Sequence, residues 1–170
     1  IKENIAIYVH QKNKELGFVG SPNKIDANTI KKLIKDDYIP VVTPMGLDEK
    51  NQAYNVNADV AAGALATGLK SRRLLLMTDV EGVYDKNKRL ISEIKPVEAQ
   101  KLIDDGTIKE GMIPKIRTCI NSVENGVRGV VIIDGRKPHS ILFELFSDKG
   151  SGTLIRKWKH CNQLNFGYLI

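Results

Sequence analysis

Residues 54–84, YNVNADVAAGALATGLKSRRLLLMTDVEGVY, join a polar turn, a segment of small residues and an apolar run. Three polar side chains alternate at the start of the stretch: Asn55, Asn57 and Asp59. They precede the small residues Ala61, Ala62, Gly63, Ala64 and Ala66, so we predict a polar turn that leads into the N-terminus of a closely packing helix. The run 74–78 predicts a strand, and ligands of open α/β sheets bind beyond the carboxyl ends of strands. The stretch therefore indicates a phosphate and substrate site.

The segments around this stretch alternate between helix and strand patterns, which is typical of an α/β fold. Asp26 is a predicted helix N-cap, and 39–43 (IPVVT) predicts a short buried strand. The unit of strand, helix and strand that ends near residue 80 implies a right-handed crossover and a mostly parallel sheet. Pro96 and Pro114 each suit the first turn of a further helix.

Composition favours a compact globular chain. It has 170 residues, 42% of them hydrophobic, enough for one domain or two small lobes. No run reaches the roughly 20 apolar residues of a membrane span, so we expect a soluble, cytoplasmic protein. The two cysteines (Cys119 and Cys161) and the three histidines (His10, His139 and His160) lack metal-ligand spacing. We therefore expect no metal bound directly by the protein.

The net charge of +6 raises the possibility of nucleic-acid binding. However, the lysines are spread over predicted helix faces, and the one dense basic run, residues 156–160, lies in a tail without a folded motif. Attraction for small polyanionic ligands explains the charge more simply. No membrane partner and no nucleic-acid partner are expected.

Three features that are far apart in the sequence could bind a nucleotide, although the chain lacks a P-loop and a dinucleotide glycine fingerprint. The turn 79–84 offers backbone amides beside Gly82. Lys115 lies in the first turn of a helix, where a cation is unfavourable unless an anion binds there. Asp59 could cap its helix, orient a lysine, or do both. Each piece alone is also compatible with an ordinary structural turn.

Several motifs carry a resemblance to a known family. They are LGFVG (16–20), YIPVV (38–42), YNVNADVAAG (54–63), TDVEGVY (78–84), GMIPK (111–115), IDGR (133–136), PH (138–139) and GTLI (152–155). Together they resemble the carboxy-terminal two-thirds of the acetylglutamate kinases, members of the amino acid kinase family. The resemblance implies a three-layer α/β/α sandwich, incomplete at the N-terminus. It also implies a substrate lobe over 1–70, a nucleotide lobe over 71–155 and a tail over 156–170.

The implied activity is phosphorylation of the side-chain carboxylate of N-acetyl-L-glutamate by ATP, with Mg²⁺ arriving on the nucleotide, in arginine biosynthesis. By resemblance, Lys115 and Asp59 are catalytic, and Asn55 and Asn57 bind the acceptor. The implied nucleotide-binding residues are Asp79, Val80, Glu81, Gly82, Val83, Tyr84, Thr107, Ile108, Lys109 and Met112. A carboxylate acceptor is already ionised at neutral pH, so no general base is required.

The region from His139 to Gly152 resembles family members that L-arginine inhibits. His139, Glu144 and Gly150 are the implied effector residues, and a homo-oligomer is implied for the full-length protein. The tail from Arg156 onward could pack through Trp158, Phe166 and Tyr168 or be disordered. Two alternatives remain. One is a related amino acid or uridylate kinase, and the other is a non-catalytic subunit that binds a nucleotide or has a regulatory role.

The family's amino-terminal glycine loop and second catalytic lysine have no counterpart in the 170 residues. We therefore expect no kinase turnover from this chain by itself. A coupled ATP-consumption assay on the purified chain checks this expectation, and robust turnover would contradict it.

Overall fold

The computed structural model describes residues 6–109 and 111–157. Within these ranges the chain forms strands and α-helices, together with a short 3-10 helix at Lys14–Leu16. In chain order they are β1 (Ile7–Gln11), β2 (Gly20–Ile25), α1 (Ala27–Lys35), β3 (Met45–Leu47), β4 (Ala53–Asn55), α2 (Ala58–Leu69), β5 (Arg73–Thr78), β6 (Glu93–Ile94), α3 (Pro96–Asp104), α4 (Ile113–Glu124), β7 (Gly129–Asp134), α5 (Ser140–Phe146) and β8 (Gly152–Ile155). Trp158, Phe166 and Tyr168 of the predicted tail lie outside the described residues.

The strands form two four-stranded sheets, in the orders β2-β1-β3-β4 and β5-β7-β8-β6. The α/β class is confirmed. Each sheet mixes the two kinds of pairing: β1–β3, β5–β7 and β6–β8 are parallel, whereas β1–β2, β3–β4 and β7–β8 are antiparallel. The antiparallel β3–β4 pair arises because a short polar loop joins the two strands as a hairpin.

Helix α2 connects the two sheets. The prediction that a strand, α2 and the strand after it form one crossover unit of a single sheet is wrong, because β4, which precedes α2, pairs with β3 while β5 pairs with β7. The hairpin gives β4 its partner in the first sheet. The apolar strand β5 instead pairs with β7, which is buried along its whole length.

Helices cover both faces of the second sheet. Val130 and Ile132 of β7 belong to a core that also contains Ile116 and Cys119 of α4. Side chains alternate along a strand, so Val131 and Ile133 point to the opposite face, where α5 contacts β7. This sheet therefore forms the middle layer of the predicted α/β/α sandwich.

Small residues let α2 lie between two hydrophobic cores. Ala61 packs in the core of the first sheet and Ala66 in the core of the second. A Cβ atom added at Gly68 would lie 2.9 Å from the Ile25 Cβ of β2, and one at Gly63 would lie 2.8 Å from side-chain atoms of α4. The helix can therefore approach β2 and α4 only where it carries no side chain.

Local capping follows the sequence closely. The Asp26 carboxylate accepts hydrogen bonds from the amides of Asn28 and Thr29 at the start of α1, as predicted. Gly106, after α3, has a φ of +75°, which glycine adopts without strain. No helix among the described residues is long and apolar enough to cross a membrane.

The predicted buried strand at 39–43 is wrong. These residues are not in a strand, and Ile39 and Val41 are 90% and 92% exposed. Pro40 lies between them and has no N–H to donate to a neighbouring strand. No strand of the described part of the chain pairs with this segment.

Candidate functional site

Asn57 caps the N-terminus of α2. Its Oδ1 accepts hydrogen bonds from the amides of Asp59 at 3.1 Å and Val60 at 3.2 Å. The capping role that was open for Asp59 therefore falls to Asn57, and the Asp59 carboxylate is available for another partner. Asn55 lies two residues earlier at the end of β4, with an exposed side chain.

The partner of Asp59 is Lys115. Lys115 is in the first turn of α4, and its Nζ lies 2.7 Å from Asp59 Oδ2. The two side chains are only 14% and 28% exposed, so the pair is partly withdrawn from water. The structure thus brings together both predicted catalytic residues, which are 56 positions apart in sequence.

Two helix N-termini therefore meet at this ion pair. Each N-terminus carries unpaired amide groups and a partial positive charge. Lys115 adds a full positive charge, and Asp59 offsets part of it. The balance favours an anion beside the Lys115 ammonium group, which is what stabilisation of a transferring phosphoryl group requires.

A cavity of about 660 Å³ opens between two loops of the second half of the chain. Its size is typical of small-molecule sites. Its lining residues are Tyr84, Asp85, Lys86, Lys88, Asp105, Gly106, Thr107 and Lys109. Three of these, Tyr84, Thr107 and Lys109, were predicted to bind a nucleotide.

The other predicted nucleotide residues do not line this cavity. Val83 and Ile108 are buried at 3% and 5% exposure, so their side chains support the two loops from inside the core. Asp79, Val80, Glu81, Gly82 and Met112 also lie outside the lining. Sequence reasoning missed the lining residues Asp85, Lys86, Lys88, Asp105 and Gly106.

An ion pair joins the two loops of the cavity: Lys86 Nζ lies 3.0 Å from Asp105 Oδ2. Hydrogen bonds from Thr107, followed by the Lys86 contact, hold the pKa of the Asp105 carboxyl below its ordinary value. Lys88 and Lys109 also line the cavity and have no ion-pair partner within 6–109 and 111–157. Neither ammonium group is neutralised by a described residue, so the charge of this part of the cavity suits an anionic ligand.

The turn 79–84 is tied to the second sheet through Thr153. The Thr153 hydroxyl accepts a hydrogen bond from the Val83 amide at 2.8 Å and donates one to the Ile91 carbonyl at 2.6 Å. Gly82 has a φ of +154°, and a side chain there would overlap the Thr153 hydroxyl. Glycine is thus required at this turn by both conformation and space.

Charged groups at the end of β7 hold the same turn. Arg136 donates to both oxygens of the buried Asp134, from Nε at 3.0 Å and from Nη2 at 2.9 Å. These hydrogen bonds lower the pKa of Asp134 to about 2. Lys137 pairs with Glu81, and the Tyr84 hydroxyl donates to Glu81 at 3.0 Å, which together lower the pKa of Glu81.

Glu144 is already engaged inside the protein. Arg73 Nη1 lies 3.2 Å from Glu144 Oε1, and the Ser151 amide donates to Oε2 at 3.0 Å. Gly150 lies against the same carboxylate, and His139 precedes α5 with a φ of +60°. The effector role of His139, Glu144 and Gly150 stays a prediction.

Comparisons with known proteins point to one family. The model of the amino acid kinase family matches residues 3–134. An acetylglutamate kinase of Pelagibacter ubique is 56% identical over 156 residues, which are 92% of this chain and 54% of that protein. The chain therefore spans about half the length of this relative.

Solved structures show the same fold. The N-acetylglutamate synthase from Neisseria gonorrhoeae, complexed with coenzyme A and L-arginine, matches with a TM-score of 0.84 at 22% identity. The match covers 93% of this chain and 38% of the synthase. Carbamate kinase from Giardia lamblia bound to AMP-PNP matches with a TM-score of 0.69 at 24% identity, over 89% of this chain and 59% of that one.

The Asp134–Arg136 contact predicts a pH-dependent loss of stability. A carboxyl whose pKa is lowered by folding stabilises the protein fully above its unfolded pKa and loses that contribution as it is protonated. Asp134→Asn should have a lower free energy of unfolding than the wild type near neutral pH. This difference in free energy should narrow as the pH falls from 3.8 to about 2. Urea unfolding across this pH range measures the gap.

Asp148→Asn is the matched control, since Asp148 is exposed and forms no ion pair within the described ranges. It should give a small stability difference without the same narrowing. A gap for Asp134→Asn that stays constant down to about pH 2 would contradict the role of the Arg136 contact.

Proposed function

The chain belongs to the amino acid kinase family, and from this premise we propose that it functions as an acetylglutamate kinase. The reaction would transfer the γ-phosphoryl group of ATP to the side-chain carboxylate of N-acetyl-L-glutamate. The observation that carries the proposal is the Lys115–Asp59 ion pair at two adjoining helix N-termini. The similarity to acetylglutamate kinase from Pelagibacter ubique supports this choice of acceptor.

The chemistry requires positive charge more than a base. A carboxylate oxygen of the acceptor attacks the γ-phosphorus, the bond from that phosphorus to the β–γ bridging oxygen breaks, and ADP leaves with an acyl phosphate as the product. The attacking oxygen is already ionised at neutral pH. Negative charge on the transferring group must be stabilised, and Lys115 with the amides of two helix ends is suited to this.

Asp59 would act by holding Lys115 in place. The 2.7 Å contact holds the Lys115 ammonium group at the N-terminus of α2, where it is only partly buried. Asn55 and Asn57 would bind the acetylated amino acid at the same end of the helix. Asn57 Oδ1 is occupied by the cap, so its amide nitrogen is the group that could reach a ligand.

The nucleotide would occupy the cavity between the two loops. Lys88 and Lys109 suit its phosphates, and Mg²⁺ would arrive with the nucleotide. Among the described residues there is no cluster of three or more His, Cys, Asp or Glu side chains that could hold a metal ion. Asp79 to Gly82 and Met112 would contact the nucleotide from beyond the present lining, and Val83 and Ile108 would support its loops.

One short segment of chain leads from the cavity to Lys115. The Lys109 carbonyl accepts hydrogen bonds from the amides of Met112 at 2.9 Å and Ile113 at 3.2 Å, at the start of α4. Lys109 therefore borders the cavity and also shapes the turn that leads to Lys115. The same segment would direct the phosphates of a nucleotide in the cavity towards Lys115.

Arginine would regulate the enzyme through the region of Glu144. Both Glu144 oxygens have partners within the protein, so a free arginine would have to replace Arg73 or bind beside it. L-arginine is present in the complex of the structurally similar N-acetylglutamate synthase. The enzyme would act as a cytoplasmic homo-oligomer.

Lys115→Ala tests the proposed reaction. In the full-length enzyme this change should lower kcat about 100- to 1000-fold, because it removes charge that is needed mainly in the transition state. Hydroxylamine trapping of the acyl phosphate, with N-acetyl-L-glutamate as acceptor, measures the rate. Lys101→Ala in α3 is the control and should retain wild-type activity.

The choice of acceptor decides between the candidate functions. Transfer to aspartate, glutamate or uridylate instead of N-acetyl-L-glutamate would identify a related kinase of the family. Binding of ATP without transfer to any of them would favour the non-catalytic subunit.

Lys109→Ala tests the nucleotide site in the 170-residue chain itself. The variant should bind ADP roughly 3- to 10-fold more weakly, because it loses a charge-assisted contact to phosphate. Isothermal titration at two salt concentrations measures this, and the difference should shrink at high salt. Lys35→Ala in α1 is the control, and equal weakening in both variants would show that only overall charge matters.

A further inference from the structure

Two helix faces meet along the contact between α2 and α4. Asp59 and Gly63 are four residues apart on α2, so they share one face of that helix. Lys115, Thr118 and Ser122 are spaced by three and four residues on α4 and likewise share a face. The ion pair joins the first residues of the two sets, and Gly63 faces Thr118 and Ser122 further along.

The approach at Gly63 leaves no space for a side chain. A Cβ atom there would lie 2.8 Å from Thr118 Cγ2 and 2.8 Å from Ser122 Oγ, closer than non-bonded atoms approach. Thr118 is held in its rotamer by a hydrogen bond from its hydroxyl to the Pro114 carbonyl at 3.1 Å. Ser122 is fully buried, so it cannot swing into solvent.

Ser122 Oγ is buried without a hydrogen-bond partner among the described residues. The Ser122 hydroxyl therefore forms no hydrogen bond from α4 to α2. Burying a hydroxyl without a partner is also unfavourable. The two helices are in close contact here, and an added Cβ atom must displace the Thr118 and Ser122 side chains or push the helices apart. Such a displacement lies one helical turn from the Lys115–Asp59 pair.

We propose that Gly63 is a positioning residue. Its lack of a side chain sets the distance between α2 and α4. That distance keeps Lys115 Nζ within hydrogen-bonding distance of the Asp59 carboxylate. Its consequence for phosphoryl transfer rests on the proposed function, because misplacing a reacting group by about 1 Å can cost 100-fold in rate. The effect on the position of Lys115 does not depend on that function.

Labelling of Lys115 tests the position directly. The 170-residue chain is treated with an amine-reactive succinimidyl ester, and modification of each lysine is followed by mass spectrometry. Gly63→Ala should raise the labelling rate of Lys115 several-fold, to the level of Asp59→Asn, because the amine loses its shielding partner. Combining both changes should add nothing further. Wild-type labelling of Lys115 in Gly63→Ala would overturn the proposal.

A compensating variant separates crowding from other effects of the substitution. Thr118→Ser removes Cγ2 but keeps the hydroxyl that binds Pro114, and Ser122→Ala removes the unpaired Oγ. Gly63→Ala combined with these two changes should return Lys115 labelling to the wild-type rate. Labelling that stays high in the triple variant would overturn the proposal.

Gly68→Ala is the matched control in the same helix. Its new Cβ would lie 2.9 Å from the Ile25 Cβ of β2, so it crowds α2 on the side away from α4. It should lower the melting temperature but leave the labelling of Lys115 unchanged. Increased labelling in Gly68→Ala as well would show general loosening of α2 and would overturn the specific role of Gly63.

Turnover in the full-length enzyme gives the catalytic readout. Gly63→Ala should lower kcat about 10- to 100-fold with little change in the KM for ATP, and the triple variant should recover. Loss of activity through unfolding would instead affect the amount of active enzyme and would not be rescued. If labelling follows the expected pattern but the wild-type enzyme transfers no phosphoryl group, the positioning role stands and the proposed function fails.

Discussion

The close packing of α2 against β2 on one side and α4 on the other is the constraint on which the rest of this structure depends. Ala61 contributes to the core of the first sheet and Ala66 to that of the second, so one helix joins both cores. Gly63 and Gly68 permit this because each faces a neighbouring element at a distance that excludes a Cβ atom. A helix with larger side chains would separate the two sheets.

This packing has an electrostatic consequence at the N-terminal end of α2. Bringing the positive ends of α2 and α4 together is unfavourable by itself. Asn57 satisfies two amides of α2, which leaves the Asp59 carboxylate to neutralise Lys115. The local charge remains positive, because two helix ends and one ammonium group face a single carboxylate. An anionic ligand would complete the neutralisation.

Much of this arrangement could be predicted from the sequence, because the signals are local. Asp26 as a cap, the small residues of α2 and the position of Lys115 in the first turn of α4 all follow from short-range rules. The resemblance of the motifs to acetylglutamate kinases assigned catalytic roles to both Asp59 and Lys115, and the structure supplied their direct contact. Spacing alone could not, since 56 residues separate them.

The wrong predictions concern which strands pair with each other over long distances in the sequence. The apolar segment 39–43 has the composition of a strand, but it has no neighbouring strand in the described part of the chain and is exposed. Likewise, β4 and β5 flank a helix in the usual order, yet each pairs with a different sheet. Which strand finds which partner depends on tertiary packing that a local pattern does not contain. The cavity lining was incomplete for the same reason, because Lys86 and Asp105 meet only after folding.

The cavity and the ion pair are linked by the short segment of chain from Lys109 to Lys115. Lys86 is neutralised by Asp105, whereas Lys88 and Lys109 are not paired within the described ranges. The carbonyl of Lys109 in turn accepts the first hydrogen bonds of the turn into α4, whose third residue is Lys115. A single segment of chain therefore carries both Lys109, which lines the cavity, and Lys115, which lies at the helix ends. A polyphosphate that contacts both lysines would meet positive charge at both of its ends, and in the proposed role of Gly63 the close contact between α2 and α4 keeps Lys115 in place.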